Sequence, residues 1–342
     1  FYLPFKQDYT VEGFSTVVWK GNDAANHYIG GTGFQPDITW IKKRDAAGSH
    51  AIFDSVRGAT KYLSSNQTAA ESTQATTHKS WSADGFTVGS DGASNSSSNN
   101  YVAWNWDMGG TTSTGHSQSN LTSVYRANTT YGQSVVTYTG DGAAGQGFAH
   151  GLGASPDFWM IKNRTDASTD WYVYHQSLGN TKALNLNSTA AVATSAAWAN
   201  YGPVSGAITV NGAGGTNTSG KNYVAYVFEE KTGYSKFGSY TGNGNANHAI
   251  TGLGFQPAFL LIKRTNSAHE WVVVDNVRNY QGNQTPSSLL ANTSAAETNQ
   301  NGDDVTSLDA DGFKVGVNAR TNGNNDTFIY MAFADKREYA YW

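Results

Sequence analysis

The sequence predicts an all-β protein of three tandem antiparallel β-sandwich repeats, jelly-roll-like in outline, and three observations predict it. Glycine is abundant at 38 residues and aromatics reach 13%, a profile of short strands joined by many turns. The apolar residues fall in short runs broken by glycine, with no helical periodicity. The third observation is a triplication: "GTGFQPDITWIKKRD" from Gly31 returns as "GLGASPDFWMIKNRT" from Gly151 and "GLGFQPAFLLIKRTN" from Gly252.

Four landmarks keep their order in each copy. Counted from Pro36, Pro156 and Pro257, a lysine falls at plus six, at Lys42, Lys162 and Lys263. Upstream, "WKGN", "YTGD" and "YTGN" begin 17, 18 and 17 residues before the proline. Downstream, "NQTAAE" from Asn66, "NSTAAV" from Asn187 and "NTSAAE" from Asn292 follow at plus 30, 31 and 35. "YVAW", "YVAY" and "FIYM" close each copy at plus 65, 67 and 71. An internal repeat of this kind governs how every other feature is read.

Taken in order, residues 1–13 read as an extended arm and 14–108 as repeat 1. Residues 109–132 form a polar linker whose composition predicts little core, so repeats 1 and 2 are expected to pivot. Repeat 2 spans 133–231 and repeat 3 spans 236–334; only "TGYS" separates them, which predicts close packing. The tail, 335–342, carries Tyr339, Tyr341 and Trp342, aromatics that suit an assembly contact. Within each repeat "ITWI", "FWMI" and "FLLI" are continuous apolar runs, the pattern of a strand covered on both faces. The glycines before each proline supply turns with positive φ, and the proline ends the loop where a missing N–H costs least.

Charge excludes some functions. Lysine and arginine total 22 against 26 acidic residues, so no basic excess points to nucleic acid. No apolar run approaches the roughly 18 residues that span a membrane. Cysteine is absent, which removes disulfides and thiolate metal sites. The chain opens on "FYLPFKQDY" without methionine, suggesting processing or a longer parent chain.

Motifs with the look of chemical sites weaken on inspection. "GDGAAG" from Gly140 has dinucleotide-fingerprint spacing, but "QGFAHGLG" does not begin the helix such a site needs, so it reads as a turn. "DADG" from Asp309 lacks the later ligands of a calcium loop and reads as a hairpin turn. The histidines show no zinc-ligand spacing, and neither metal nor cofactor is expected. Asp54 with Arg57 and Asp275 with Arg278 recur three residues apart and read as bridges fixing a loop; repeat 2 reads "YHQSLGN" there, with His175 and a glycine in place of the pair. Most tryptophans lie in strand-like runs, whereas Trp81 and Trp198 lie in polar stretches and are the ligand-binding candidates, with sugar stacking as the chemistry.

With these motifs in hand, "GFQPDITWIKKRD … FDSVRGATKYLSSNQTAAE … DGFTVGSDG … NYVAWNW" resembles a tandem-repeat module of predicted tail-fibre and other virion proteins of marine tailed bacteriophages. The resemblance implies a non-enzymatic structural protein of the virion, assembled in the host cytoplasm and exposed outside it. A tail fibre or spike component is the expected role, as a homotrimer contacting other virion proteins and a bacterial surface glycan. A capsid decoration protein and a carbohydrate-binding module of a larger secreted enzyme are the alternatives.

Overall fold

The computed structural model describes residues 13–115, 120–212, 215–278, 286–298 and 303–335. Alternation along the strand after each signature proline sets the architecture. In Phe158–Asn163, Phe158 and Met160 face one apolar cluster while Trp159 and Ile161 face another. In Pro257–Arg264, Phe259 and Leu261 part from Leu260 and Ile262 in the same way. Strand side chains alternate with a period of two, so an uninterrupted apolar run needs cover on both faces. One cover is the repeat's own second sheet; the other is a core shared by all three repeats.

The inner sheet of repeat 1 is antiparallel, ordered Phe14–Lys20, Asn100–Trp106, Ile38–Lys43, Ala51–Asp54. Repeat 3 has the same order in Ser235–Thr241, Thr327–Ala334, Pro257–Arg264 and Trp271–Asp275, extended by Leu289–Leu290. Repeat 2 repeats it in Gln133–Thr139, Asn222–Phe228, Phe158–Asn163 and Trp171–His175. Outer sheets cover them: His27–Gly30 with Gly85–Val88 and His78–Ser82 in repeat 1, and His248–Thr251 with Gly312–Val315 and Val305–Asp309 in repeat 3. The all-β sandwich reading therefore holds.

The shared core is aromatic at its proline end. Phe14 and Trp106 of repeat 1, Phe228 of repeat 2, and Phe259 and Phe333 of repeat 3 meet with ring centroids 5.1 Å apart for Phe14–Trp106, 5.5 Å for Phe14–Phe259 and 5.4 Å for Phe228–Phe333. Burying a side chain of this size contributes about 1.5–3 kcal/mol. No repeat could present this face to water, so the three form one body.

Two expectations about the linker fail for that reason. Residues 109–132 contain strands Thr112–Gly115 and Ser123–Asn128, which add to the free edge of Gln133–Thr139 and lengthen the repeat 2 sheet to 8 strands. Repeats 1 and 2 do not pivot on it: Arg126 pairs with Asp37 at 2.6 Å, and Gln133 Nε2 donates to the carbonyls of Gly13 and Asp107. Polar composition concealed the pairing, because an added edge strand needs backbone partners more than apolar side chains. Repeat 3 begins one residue early, at Ser235.

The landmarks have backbone causes. The glycine of "WKGN", "YTGD" and "YTGN" (Gly21, Gly140, Gly242) lies where a Cβ would collide with the carbonyls of Ser96, Thr218 and Gly323. In the proline motif, Gly31 and Gly33 adopt φ of 85° and 81°, a region glycine enters without steric cost. Their N–H groups converge on the Asp84 carboxylate at 3.2 and 2.6 Å. Gly252 and Gly254 repeat this with Asp311, so "DADG" is a hairpin turn whose carboxylate holds the neighbouring loop. "GDGAAG" is likewise the connection between strands Gln133–Thr139 and Gln146–Ala149.

Candidate functional site

The polar side chains singled out by the triplication converge on the seams between repeats. Lys162 Nζ donates to the carbonyl of Thr68 in repeat 1 at 3.1 Å and to that of Thr169 in its own loop at 2.7 Å. Lys263 donates to Thr189 of repeat 2 at 3.0 Å and to His269 at 2.8 Å. Lys42 donates to Ser294 of repeat 3 at 3.4 Å and to Lys43 at 2.7 Å. Thr68, Thr189 and Ser294 are the third residues of the three "NQTAAE"-type motifs, so repeat 2 grips 1, repeat 3 grips 2, and repeat 1 grips 3. The ring is closed.

Two further rows obey the same rotation. Trp171 Nε1 donates to Ser64 O at 2.8 Å and Trp271 Nε1 to Asn185 O at 3.0 Å. In repeat 1 His50 takes this place, with Nε2 3.0 Å from Leu290 O. Its Nδ1 accepts from Trp40 Nε1 at 2.8 Å, which assigns the proton to Nε2. On the backbone, Glu71 N–H donates to Arg164 O, Val192 N–H to Thr265 O, and Glu297 N–H to Arg44 O. The motif asparagines serve each repeat from within: Asn66, Asn187 and Asn292 Oδ1 accept from the N–H of His50, Trp171 and Trp271.

A charged network overlies this frame in two seams. Between repeats 3 and 1, Arg278 bridges Asp275 at 2.6 Å and Glu297 at 3.2 Å; Asp275 accepts from Trp104 Nε1 at 2.8 Å, and Glu297 holds Arg44 at 2.8 Å. Between repeats 1 and 2, Arg57 bridges Asp54 and Glu71, Asp54 accepts from Tyr226 at 2.8 Å, and Glu71 holds Arg164 at 2.8 Å. The loop-fixing bridge read from the sequence is thus also the hinge pin of a seam. Between repeats 2 and 3 the corresponding residues are His175, Leu178, Val192, Thr265 and Met331, so the arginine's place falls to Leu178 rather than to the glycine after it. Leu178 and Val192 pack on the shared core, and His175 Nε2 lies 3.1 Å from Tyr330 O.

Burial sets the protonation. Desolvation pushes Lys42, Lys162 and Lys263 each down to about 8, His50 down to about 3 and His175 down to about 4. Burial alone would raise Glu297, but Arg44 and Arg278 hold it down to about 2.

The remaining candidates separate. Pro36, Pro156 and Pro257 are buried at the start of their strands, as framework. Trp81 is half-buried, its ring 4.6 Å from His78 and its Nε1 donating to Thr39 Oγ1 at 3.2 Å. Trp198 corrects the expectation of an exposed platform: it is fully buried, edge-on to Trp159 at 5.3 Å, with Nε1 on Lys182 O at 2.9 Å. Just after it Ala199 and Asn200 take φ of 50° and 59°, and among the described residues the outer sheet of repeat 2 has two strands, Gln146–Ala149 and Ala207–Val210, with Leu121 bridged to Phe148. Tyr201, which follows Asn200, is the most exposed large hydrophobic side chain among the described residues, at 64%. Tyr339, Tyr341 and Trp342 lie outside the described residues.

One framework set escaped the sequence reading. Asn95, Asn217 and Asn322 are fully buried, and each Oδ1 accepts from the N–H of Asn22, Asp141 or Asn243 while Nδ2 donates to Ala24, Ala143 or Asn245 O. Their signal was the constant offset of six residues before Tyr101, Tyr223 and Phe328.

Fold and seams together define an all-β protein of three repeats closed into a ring by buried lysines. The chain belongs to the family described as "Domain of unknown function (DUF7483)", which matches residues 10–337. No curated protein and no solved structure matches it.

Proposed function

We propose that the chain is a non-enzymatic structural protein of a virion, a tail-fibre or spike component that contributes to attachment at the host surface. The observation that carries this reading is the closed ring of seams, in which Lys42, Lys162 and Lys263 each grip the neighbouring repeat. Such closure makes a rigid body from three modules without disulfides, as a particle assembled in a reducing cytoplasm requires. The groups that catalysis would draw on, Asp54, Arg57, His50 and His175, are engaged in seam bonds instead. The ring also supplies within one chain the three-fold arrangement of a fibre. Its partners in this reading are other virion proteins and a bacterial surface glycan, held through many weak contacts that add on one particle.

Gold-labelled antibody against the recombinant chain, applied to purified particles of the phage that encodes it, tests the reading. Gold at the tail is expected. Gold on the head alone, or none on the particle, contradicts the tail assignment.

A further inference from the structure

We infer that a groove on repeat 2, made by the linker strands, is a binding site for a short neutral saccharide. In repeats 1 and 3 the first inner strand, Phe14–Lys20 or Ser235–Thr241, stands at the edge of its sheet. Among the described residues, only in repeat 2 does a further strand, Ser123–Asn128, pair outside the first, with Val124 opposite Thr137. The linker residues leading into it raise a wall beside that strand. Across from this wall stand Asp141, Arg164 and Asn222, and the space between is a groove of about 400 Å³. That is within the size of sites that hold small ligands, roughly 300–1,000 Å³.

The lining chemistry selects the ligand. Thr122, Thr137 and Thr139 bring hydroxyls, and Asn222 brings an amide. Thr137 Oγ1 donates to Val124 O at 3.4 Å and Thr139 Oγ1 to Asn222 Oδ1 at 3.0 Å, so these two threonines offer acceptor lone pairs and Asn222 offers its Nδ2 as a donor, together matching the hydroxyls of a sugar, which donate and accept. Thr137 and Thr139 lie on the face of their strand that buries Val135 in the shared core, carried past the core into the groove. The two charged residues oppose each other in sign and form no ion pair with one another among the described residues, so neither an anion nor a cation is favoured. Arg164 is fixed by Glu71 through Nε and Nη2 at 2.8 and 2.9 Å, leaving Nη1 as a donor. Asp141 is fixed through Oδ1, which accepts from Ala143 N–H and Asn217 Nδ2, leaving Oδ2 as an acceptor. A donor and an acceptor, each held by the framework on its far side, are pre-organised for a ligand that needs both.

The site does not require the virion role, because a free-standing protein with this groove would bind the same ligand. Its failure and the failure of the virion reading are therefore read separately. The test is an amide NMR titration of the full chain with glucose, galactose, N-acetylglucosamine and lactose, and with glycine as a zwitterion control. Expected are saturable shifts confined to Thr137, Thr139, Asn222 and their neighbours with at least one sugar, at least tenfold weaker in Thr122→Val/Thr139→Val. A second variant, Tyr201→Ala, alters the exposed aromatic elsewhere on repeat 2 and should leave the titration unchanged. No localised shift with any of the sugars overturns the inference, as does equal response to glycine or loss of binding in Tyr201→Ala with retention in the threonine variant.

Discussion

The seam between repeats 3 and 1 and the seam between repeats 2 and 3 solve one packing problem in opposite ways. The first joins the buried Arg278, Asp275 and Trp104 indole to the half-buried Glu297 and Arg44 in a single bonded chain. The second has Leu178, His175, Val192, Thr265 and Met331 in the same places, with apolar contact in place of charge. The two carboxylates and two arginines are all present in the charged seams and all absent here, whereas the fifth position varies by itself, Trp104 in one charged seam and Tyr226 in the other. A buried ion is tolerated only when every partner is present, and an apolar set is equally serviceable when every partner is absent. The lysine and backbone rows common to all seams make the ring; the charged network is an alternative filling.

The comparison breaks most sharply at Arg278. Arg278→Leu alone strands Asp275 and Glu297 and should cost about 3–5 kcal/mol, read by urea denaturation. Converting the whole seam, with Asp275→His, Arg278→Leu, Glu297→Val, Arg44→Thr and Trp104→Met together, should recover most of that loss. A quintuple variant no more stable than the single one would mean that the seams are not interchangeable.

Acid should open the two seams in order. His50, His175 and Glu297 all have folded-state pKa values below their unfolded values of about 6.5 and 4.3, so the unfolded chain takes up protons first. Their stabilisation is present above the unfolded values and is lost as pH falls toward the folded ones, at about 1.4 kcal/mol for each pH unit that separates the two. The seam between repeats 3 and 1 carries both His50 and Glu297, whereas the other carries His175 alone. Between pH 6 and 4 the amide of Glu297 should therefore lose exchange protection before that of Val192. The three lysines act in the same direction at the alkaline end: depressed to about 8 against about 10.4 unfolded, they make stability rise as pH climbs through that window. Lys162→Met should flatten that rise.

The smallest effect sharpens the comparison from the apolar side. Val192→Glu places a carboxylate opposite Thr265 without a partner and should destabilise by about 1–2 kcal/mol. Thr265→Arg in the same chain recreates the pair found at Glu71 with Arg164 and should restore about 0.5–1 kcal/mol. A double-mutant cycle with zero coupling would contradict the equivalence of the two positions.

Much of the frame was legible because strands and turns leave local signals. The apolar runs after Pro36, Pro156 and Pro257 showed that both faces are covered, and the repeat spacing showed the units. What covers the second face was hidden, since the lysines bond to backbone carbonyls of another repeat, and a carbonyl carries no residue identity. Trp198 misled for a related reason: the polar stretch around it gave no sign of its cover, yet the indole is fully buried edge-on to Trp159 and bonded to the carbonyl of Lys182. The groove on repeat 2 left no sequence signal at all, because Thr122 and Thr139 meet only once the linker has paired as a strand.

Scanning calorimetry tests the closed ring most directly. One cooperative body predicts a single transition whose calorimetric enthalpy equals its van't Hoff enthalpy, and a single lowered transition in Arg278→Leu. Two or three resolved transitions in the unaltered chain, each holding the enthalpy of about one repeat, would show that the repeats fold independently and that the seams do not join them.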